Sequence, residues 1–254
     1  MIKKTYYSLL TLCIALLAMS CSDEPSAKKG YDQYAYADIY STIVGNVNDG
    51  YVLLGDKHNI AILAKGTNLE QLTMNGNKRA HITIRYNYHN LEELPDGTFV
   101  FHDAEFVKGE VMPVSNVLTK QQAEDAGAFL PDSCFEISDP AQVEVWTSQD
   151  YITVQGNYLA AAAQNGITTR PLTIDLVWDE EHSTEGTLAV RLIYNRHHSY
   201  GYDKLVSKKS INSFLYAPIN DWINSHNVKT LELRNAEGVI KKCKFDTNSK
   251  TIYL

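Results

Sequence analysis

The sequence predicts an all-β protein of two modules, an N-terminal OB-like five-stranded barrel followed by a C-terminal β-sandwich, with one short helix near the junction. Three observations carry this. Short apolar segments alternate with polar residues at a period of two along most of the chain. Turn-forming Gly, Pro, Asn and Asp separate those segments at short intervals. Only the stretch from Thr119 to Gly127 has both a helical start signal and a stop signal. The 254 residues are 44% apolar and 21% charged, an ordinary globular mix long enough for two modest cores.

Residues 1–20 are an address rather than part of the fold. Lys3 and Lys4 precede an apolar run from Ser8 to Met19 that is too short to span a bilayer, which is the layout of a signal peptide. The run ends Leu17-Ala18-Met19-Ser20-Cys21, with small residues at the third and first positions before the cysteine. That is the pattern of a bacterial lipobox, which makes Cys21 the lipid-attachment residue and the first residue of the mature chain. The anchor is then acyl chains, each buried methylene contributing about 0.8 kcal/mol.

Residues 21–34 form a polar tether with nothing to bury. Ser22, Asp23 and Glu24 directly after the cysteine resemble a surface-export signal of Bacteroidetes lipoproteins, and they equally suit a plain solvated linker. The expected address is the outer membrane. The full chain has 23 Lys and Arg against 30 Asp and Glu, a formal charge of −7. Loss of Lys3 and Lys4 with the leader takes the mature chain to 21 basic against 30 acidic residues, about −9. Such a field repels phosphate, so nucleic acid is excluded as a partner.

The barrel is expected over residues 35–135. Ala35 to Val44 and Tyr51 to Leu54 flank a Gly45 to Gly50 turn and read as a hairpin. Ile60 to Ala64 is a third strand. Arg79 to Tyr88 alternates strictly, with Ala80, Ile82, Ile84, Tyr86 and Tyr88 on one parity, the mark of a half-buried strand. After the Pro95-Asp96-Gly97 turn, Phe99 to Val114 is long and rich in aromatic and β-branched residues, with Gly109 and Pro113 marking a bend or bulge. Five such strands suit a small closed barrel. Thr119 and Gln122 then have capping-box spacing, opening a helix over Lys120 to Ala126 that Gly127 can end.

The sandwich is expected over residues 136–254. Its strands are Gln142 to Trp146, Tyr151 to Val154, Leu172 to Trp178, Thr187 to Tyr194, Ser210 to Tyr216, Lys229 to Leu233 and Val239 to Phe245, with Ile252 to Leu254 closing a hairpin. Asp179 to Gly186 reads as a hydrophilic hairpin tip. Leu159 to Ala163 is helical by propensity although it lies between strands. Of four cysteines, Cys13 leaves with the leader and Cys21 is acylated, so Cys134 and Cys243 either form a disulfide or stay as two separately buried thiols.

The order of these pieces resembles the NigD-like family of Bacteroidetes lipoproteins. The resemblance rests on Met19-Ser20-Cys21-Ser22-Asp23, Ala37-Asp38-Ile39-Tyr40 and Asn48-Asp49-Gly50-Tyr51, then Asp139-Pro140, Asp150-Tyr151-Ile152-Thr153-Val154 and Arg191-Leu192-Ile193-Tyr194-Asn195-Arg196-His197. It spans nearly all of residues 35–254. The family pairs an OB-like domain with a β-sandwich and takes its name from a bacteriocin gene cluster. It therefore implies an envelope protein related to immunity, and supplies no catalytic residues.

Catalytic motifs point nowhere. There is no Gly-x-Ser-x-Gly elbow, P-loop, Gly-x-Gly-x-x-Gly or His-Glu-x-x-His, so no catalytic, cofactor-binding or metal-binding residues are assigned. His197 and His198 are the densest of eight histidines, but neighbours on a strand point to opposite faces and do not converge on one ion without a turn. The remaining chemical excess is 16 tyrosines and 3 tryptophans, rings suited to protein surfaces and to sugar faces. The expectation is a non-catalytic lipoprotein held to the membrane by its N-terminal lipid and presenting a protein-binding surface. The alternative is a surface glycan-binding module.

Overall fold

The computed structural model describes residues 34–47, 50–56, 60–65, 78–95, 97–126, 140–162, 174–194, 204–235 and 238–246. The first sheet comprises β1 (Tyr34–Val47), β2 (Gly50–Gly55), β3 (Ile60–Lys65), β4 (Arg79–Asn87), β5 (Leu91–Glu93) and β6 (Phe99–Val111). Antiparallel pairing runs β3-β2-β1-β4-β6, and β6 returns parallel to β3, which closes the sheet. This is the strand order of an OB barrel, with β5 added as a three-residue ribbon on β6. Inward residues fill it: Ile43, Leu53, Ile62, Ala80, Ile82, Ile84 and Phe101 form one buried cluster. The alternation read along Arg79 to Tyr88 is what places Ala80, Ile82 and Ile84 there.

Gly109 shows why closure constrains the sequence. A Cβ at this position would stand 3.0 Å from the His81 carbonyl oxygen, from Ile82 and from the Phe106 ring. Only glycine allows β6 to pass β4 this closely, next to the bulge where register shifts between Thr83 and Ile84.

The second sheet comprises β7 (Val114–Leu118), β8 (Glu144–Ser148), β9 (Tyr151–Ala162), β10 (Ile174–Trp178), β11 (Thr187–Tyr194), β12 (Lys204–Leu215), β13 (Thr230–Asn235) and β14 (Gly238–Lys244). The order is β14-β13-β11-β10-β7-β12-β9-β8. The β8-β9-β12 side and the β10-β11-β13-β14 side meet through β7, which pairs parallel to both β10 and β12. Val145, Ile152, Val154 and Phe214 from one side pack with Leu176, Leu188, Val190, Leu231 and Leu233 from the other, giving the expected sandwich core. The outer ends approach each other where Asp246 N donates to Thr147 Oγ1 at 2.9 Å, making the sheet barrel-like.

Four details differ from the sequence reading. The segment read as one strand from Phe99 to Val114 is two: the chain breaks at Met112 and Pro113, and β7 crosses into the second sheet well before residue 135. Leu159 to Ala162 is strand, because β9 pairs with β12 over twelve consecutive residues and that ladder overrides alanine's helical propensity. Besides α1 (Lys120–Asp125), a second short helix, α2 (Asn220–Ser225), is present. Leu91 to Glu93 adds the short β5. The capping box forms as read, with Thr119 Oγ1 accepting from Gln122 N at 3.3 Å and Gln122 Oε1 accepting from Thr119 N at 2.9 Å. Gly127 and Ile252 to Leu254 lie outside the described residues. Among the described residues no helix is long and apolar enough to cross a membrane.

Candidate functional site

The side chain that positions everything else is Arg79, the first residue of β4. It is fully buried, and its carboxylate partner Asp56 is 1% exposed. Nη1 donates to Asp56 Oδ1 at 2.5 Å and to Thr42 Oγ1 at 2.9 Å. Nη2 donates to Asp56 Oδ2 and, at 3.1 Å, to Thr153 Oγ1, while Nε donates to Ser213 Oγ at 3.2 Å. All five guanidinium N–H groups are therefore used. Trp146 Nε1 donates to Asp56 Oδ2 at 2.7 Å, and the guanidinium lies 5.1 Å from the Tyr151 ring centre. Asp56, Thr42 and Arg79 come from the barrel, whereas Trp146, Tyr151, Thr153 and Ser213 come from the second module. A buried ion pair satisfied from both sides fixes the two modules to each other.

From that junction an outward stripe runs along the barrel. Successive even residues of β1 face the same way: Tyr40 stacks on His81 at 4.5 Å, Asp38 accepts a hydrogen bond from Thr83, and Tyr36 and Tyr34 stand opposite Arg85 and Asn87 of β4. Tyr40 OH also donates to Gln155 Oε1 of β9 at 3.2 Å, so the junction end of the stripe is tied down. The far end is open: Tyr34 is 52% exposed, Tyr36 60% and Tyr88 47%. Arg85 lies 4.9 Å from the Tyr34 ring centre and pairs with Glu105 of β6 at 2.5 Å.

The second module carries a charged depression of about 240 Å³, lined by Lys120, Val177, Trp178, Asp179, Glu180, Glu181 and Arg191. The β10–β11 turn builds it, since a 3-10 turn at Glu180–His182 folds His182 back over Asp179. Asp179 Oδ2 accepts from Arg191 Nε at 2.6 Å, and its Oδ1 lies 3.0 Å from His182 Nδ1. Burial pushes the Asp179 carboxyl upward, but the hydrogen bonds from His182 and Arg191 outweigh it and hold the group below the usual carboxylate range. On the rim Lys120 pairs with Glu181 at 3.1 Å. Trp178 packs on Trp222, which stacks on His226 at 4.2 Å.

The sequence-assigned residues are placed as follows. Cys243 is a half-buried free thiol on β14 whose pKa burial raises to about 11. Cys21, Cys134, His197 and His198 lie outside the described residues. His102 pairs with Glu92 at 2.7 Å, and His81 is claimed by Tyr40. Among the described residues no three His, Cys, Asp or Glu side chains come together in a way that could hold a metal ion. Arg79, Asp56 and Asp179 were not singled out by sequence. The only trace of Arg79 is its position on the polar parity of β4, which by itself predicts exposure.

No protein-family model matches the chain, and no curated protein matches it. Solved structures do. A candidate toxin-related protein of Parabacteroides distasonis aligns over 84% of this chain and 95% of its own, at 15% identity and a TM-score of 0.53. A candidate lipoprotein of Bacteroides fragilis aligns over 85% and 98%, at 11% identity and a TM-score of 0.50. The neighbours also include a NigD-like immunity protein of Bacteroides caccae, over 88% and 94%, at 15% identity and a TM-score of 0.40. At these identities the first two establish a shared fold over 84% and 85% of the chain.

Proposed function

We propose that the chain is a non-catalytic cell-envelope lipoprotein, attached through Cys21 at the outer membrane, whose second module presents a protein-binding surface. The leader over residues 1–20, followed directly by Cys21, directs acylation of that cysteine, and the candidate lipoprotein of like fold is a precedent for it. The partner is an envelope or extracellular protein, a bacteriocin or an outer-membrane complex, the first being the class implied by the resemblance of the strand motifs to an immunity-related family.

The observation that carries the protein-binding reading is the depression around Asp179. Its volume of about 240 Å³ lies below the ~300–1,000 Å³ usual for small-molecule sites. Asp179 is committed to Arg191 and His182 and held ionised, so it is poorly suited to donate a proton. What remains accessible is a pattern of opposite charges, Lys120, Glu180, Glu181 and Arg191, which a protein of complementary pattern can match. The acidic mature chain favours a basic partner by long-range steering.

Affinity capture from envelope fractions with tagged wild type, Glu180→Lys/Glu181→Lys and Lys120→Glu tests this. The reading expects a specific protein whose recovery falls at least fivefold with the reversed charges. Recovery indifferent to both variants, or no specific protein in repeated captures, contradicts it.

A further inference from the structure

The end of the barrel farthest from the Arg79 junction gathers exposed apolar and amphipathic side chains that the protein-binding reading does not use. Tyr34 and Tyr36 project from the start of β1, and Tyr88 follows directly after Asn87, the β4 partner of Tyr34. Tyr88 meets Tyr86 edge-on at 5.4 Å, so it extends the barrel core outward. Arg85 and Glu105 form the only charged pair described in this group, at 2.5 Å, and Arg85 also lies against the Tyr34 ring.

Tyr34 stands thirteen positions after Cys21. A chain segment of that length spans at most roughly 45 Å however it is arranged. The first strand is thus held close to whatever surface holds Cys21, and the residues at its beginning are those that arrive there first. Tyrosine is the side chain that gathers at headgroup depth, with its ring among glycerol and upper acyl carbons and its hydroxyl in the wet layer.

We propose that the face formed by Tyr34, Tyr36, Tyr88 and Arg85 rests on the phospholipid headgroups of the membrane that anchors the chain. The inference rests on acylation of Cys21. The Arg85–Glu105 pair suits a zwitterionic headgroup, with the guanidinium meeting the phosphate and the carboxylate meeting the ammonium. Phosphatidylethanolamine has both groups. A strongly anionic surface is disfavoured, because the mature chain at about −9 is repelled by it. Contact at this face makes the lipid tether a two-point attachment and gives the barrel a defined orientation on the bilayer.

Hydroxyl-radical footprinting of the acylated full chain on phosphatidylethanolamine/phosphatidylcholine vesicles, against the acyl-free mature chain in solution, tests the proposal. Oxidation of Tyr34, Tyr36 and Tyr88 is expected to fall at least fivefold on vesicles, while His182 on the second module, 41% exposed, keeps its rate within a factor of two. Intact mass of the same sample reports acylation at Cys21. An acylated chain whose tyrosines react as fast as in solution overturns this inference alone. A chain without acyl groups overturns it together with the anchoring reading. Protection that follows an added polysaccharide and not the vesicles assigns the face to a saccharide and overturns it as well.

Discussion

Arg79 is a charged side chain with no exposed surface, and water is replaced around it by five hydrogen bonds from two modules. Removing one member of such a pair leaves the other charge buried and unmatched. Arg79→Met is expected to lower stability by about 3–5 kcal/mol in urea unfolding, and Arg79→Met/Asp56→Leu to recover part of that loss. Asp179 behaves differently because it titrates. Burial opposes its ionisation, and His182 with Arg191 more than reverse this, so its folded pKa lies below the unfolded value. A depressed carboxyl contributes stability that is present above the unfolded pKa near ~3.9 and disappears as pH falls through the folded one. The stability gap between wild type and Asp179→Asn is therefore expected at pH 7 and should shrink below about pH 4 in acid-unfolding curves. Cys243, raised by burial to about 11, is expected to label with a neutral maleimide at pH 8 only on unfolding. Labelling of Cys243 in unfolded, unreduced protein is what a free thiol requires, and its absence would contradict the free state and point to pairing with Cys134. Arg79 was not legible in the sequence, since its partners lie up to 134 residues away; Asp179 read only as the start of a hydrophilic hairpin tip, although its partners His182 and Arg191 lie 3 and 12 residues away.

At the scale of elements, strands with strict alternation were readable and the exceptions have separate causes. Arg79 to Tyr88 announces itself because one face is buried more deeply than the other, whereas Thr187 to Tyr194 reads as a strand from its apolar run, with Leu188, Ala189, Val190, Leu192 and Ile193 buried on both faces. Leu159 to Ala162 carries helix formers, and only its long antiparallel ladder with β12 makes it strand. Val114 reads as the end of the β6 strand, because nothing local tells a strand which sheet it joins; Pro113, which reads as a bend or bulge, is where the chain leaves the first sheet. Asn220 to Ser225 lacks a side-chain cap, and so offered no start signal. Gly109 was read as a bend or bulge marker, and the structure adds the reason. Gly109→Ala must push the His81 backbone, Ile82 and Phe106 apart, and is expected to cost about 1–3 kcal/mol in thermal or urea unfolding.

At the scale of the whole molecule, a closed barrel and a barrel-like sandwich are joined by a buried, satisfied junction, and among the described residues each shows one exposed face. The barrel presents tyrosines near the start of the described chain, and the sandwich presents a ring of opposed charges. This division follows from topology. The strand that opens the barrel lies nearest the tether, while the β10–β11 turn that shapes the depression belongs to the other sheet. The fold class was legible from alternation and turns. Which surfaces would be left open was not, because that depends on how the sheets cover one another.

The central claim is that this pair of modules works from a membrane to which Cys21 is covalently joined by lipid. Intact-mass measurement of the protein extracted from membranes of its producing cell tests it most directly. The account predicts a chain beginning at Cys21 and heavier than its sequence by a diacylglyceryl group, with or without an N-acyl chain. An unmodified chain, or one beginning at any other residue, contradicts it.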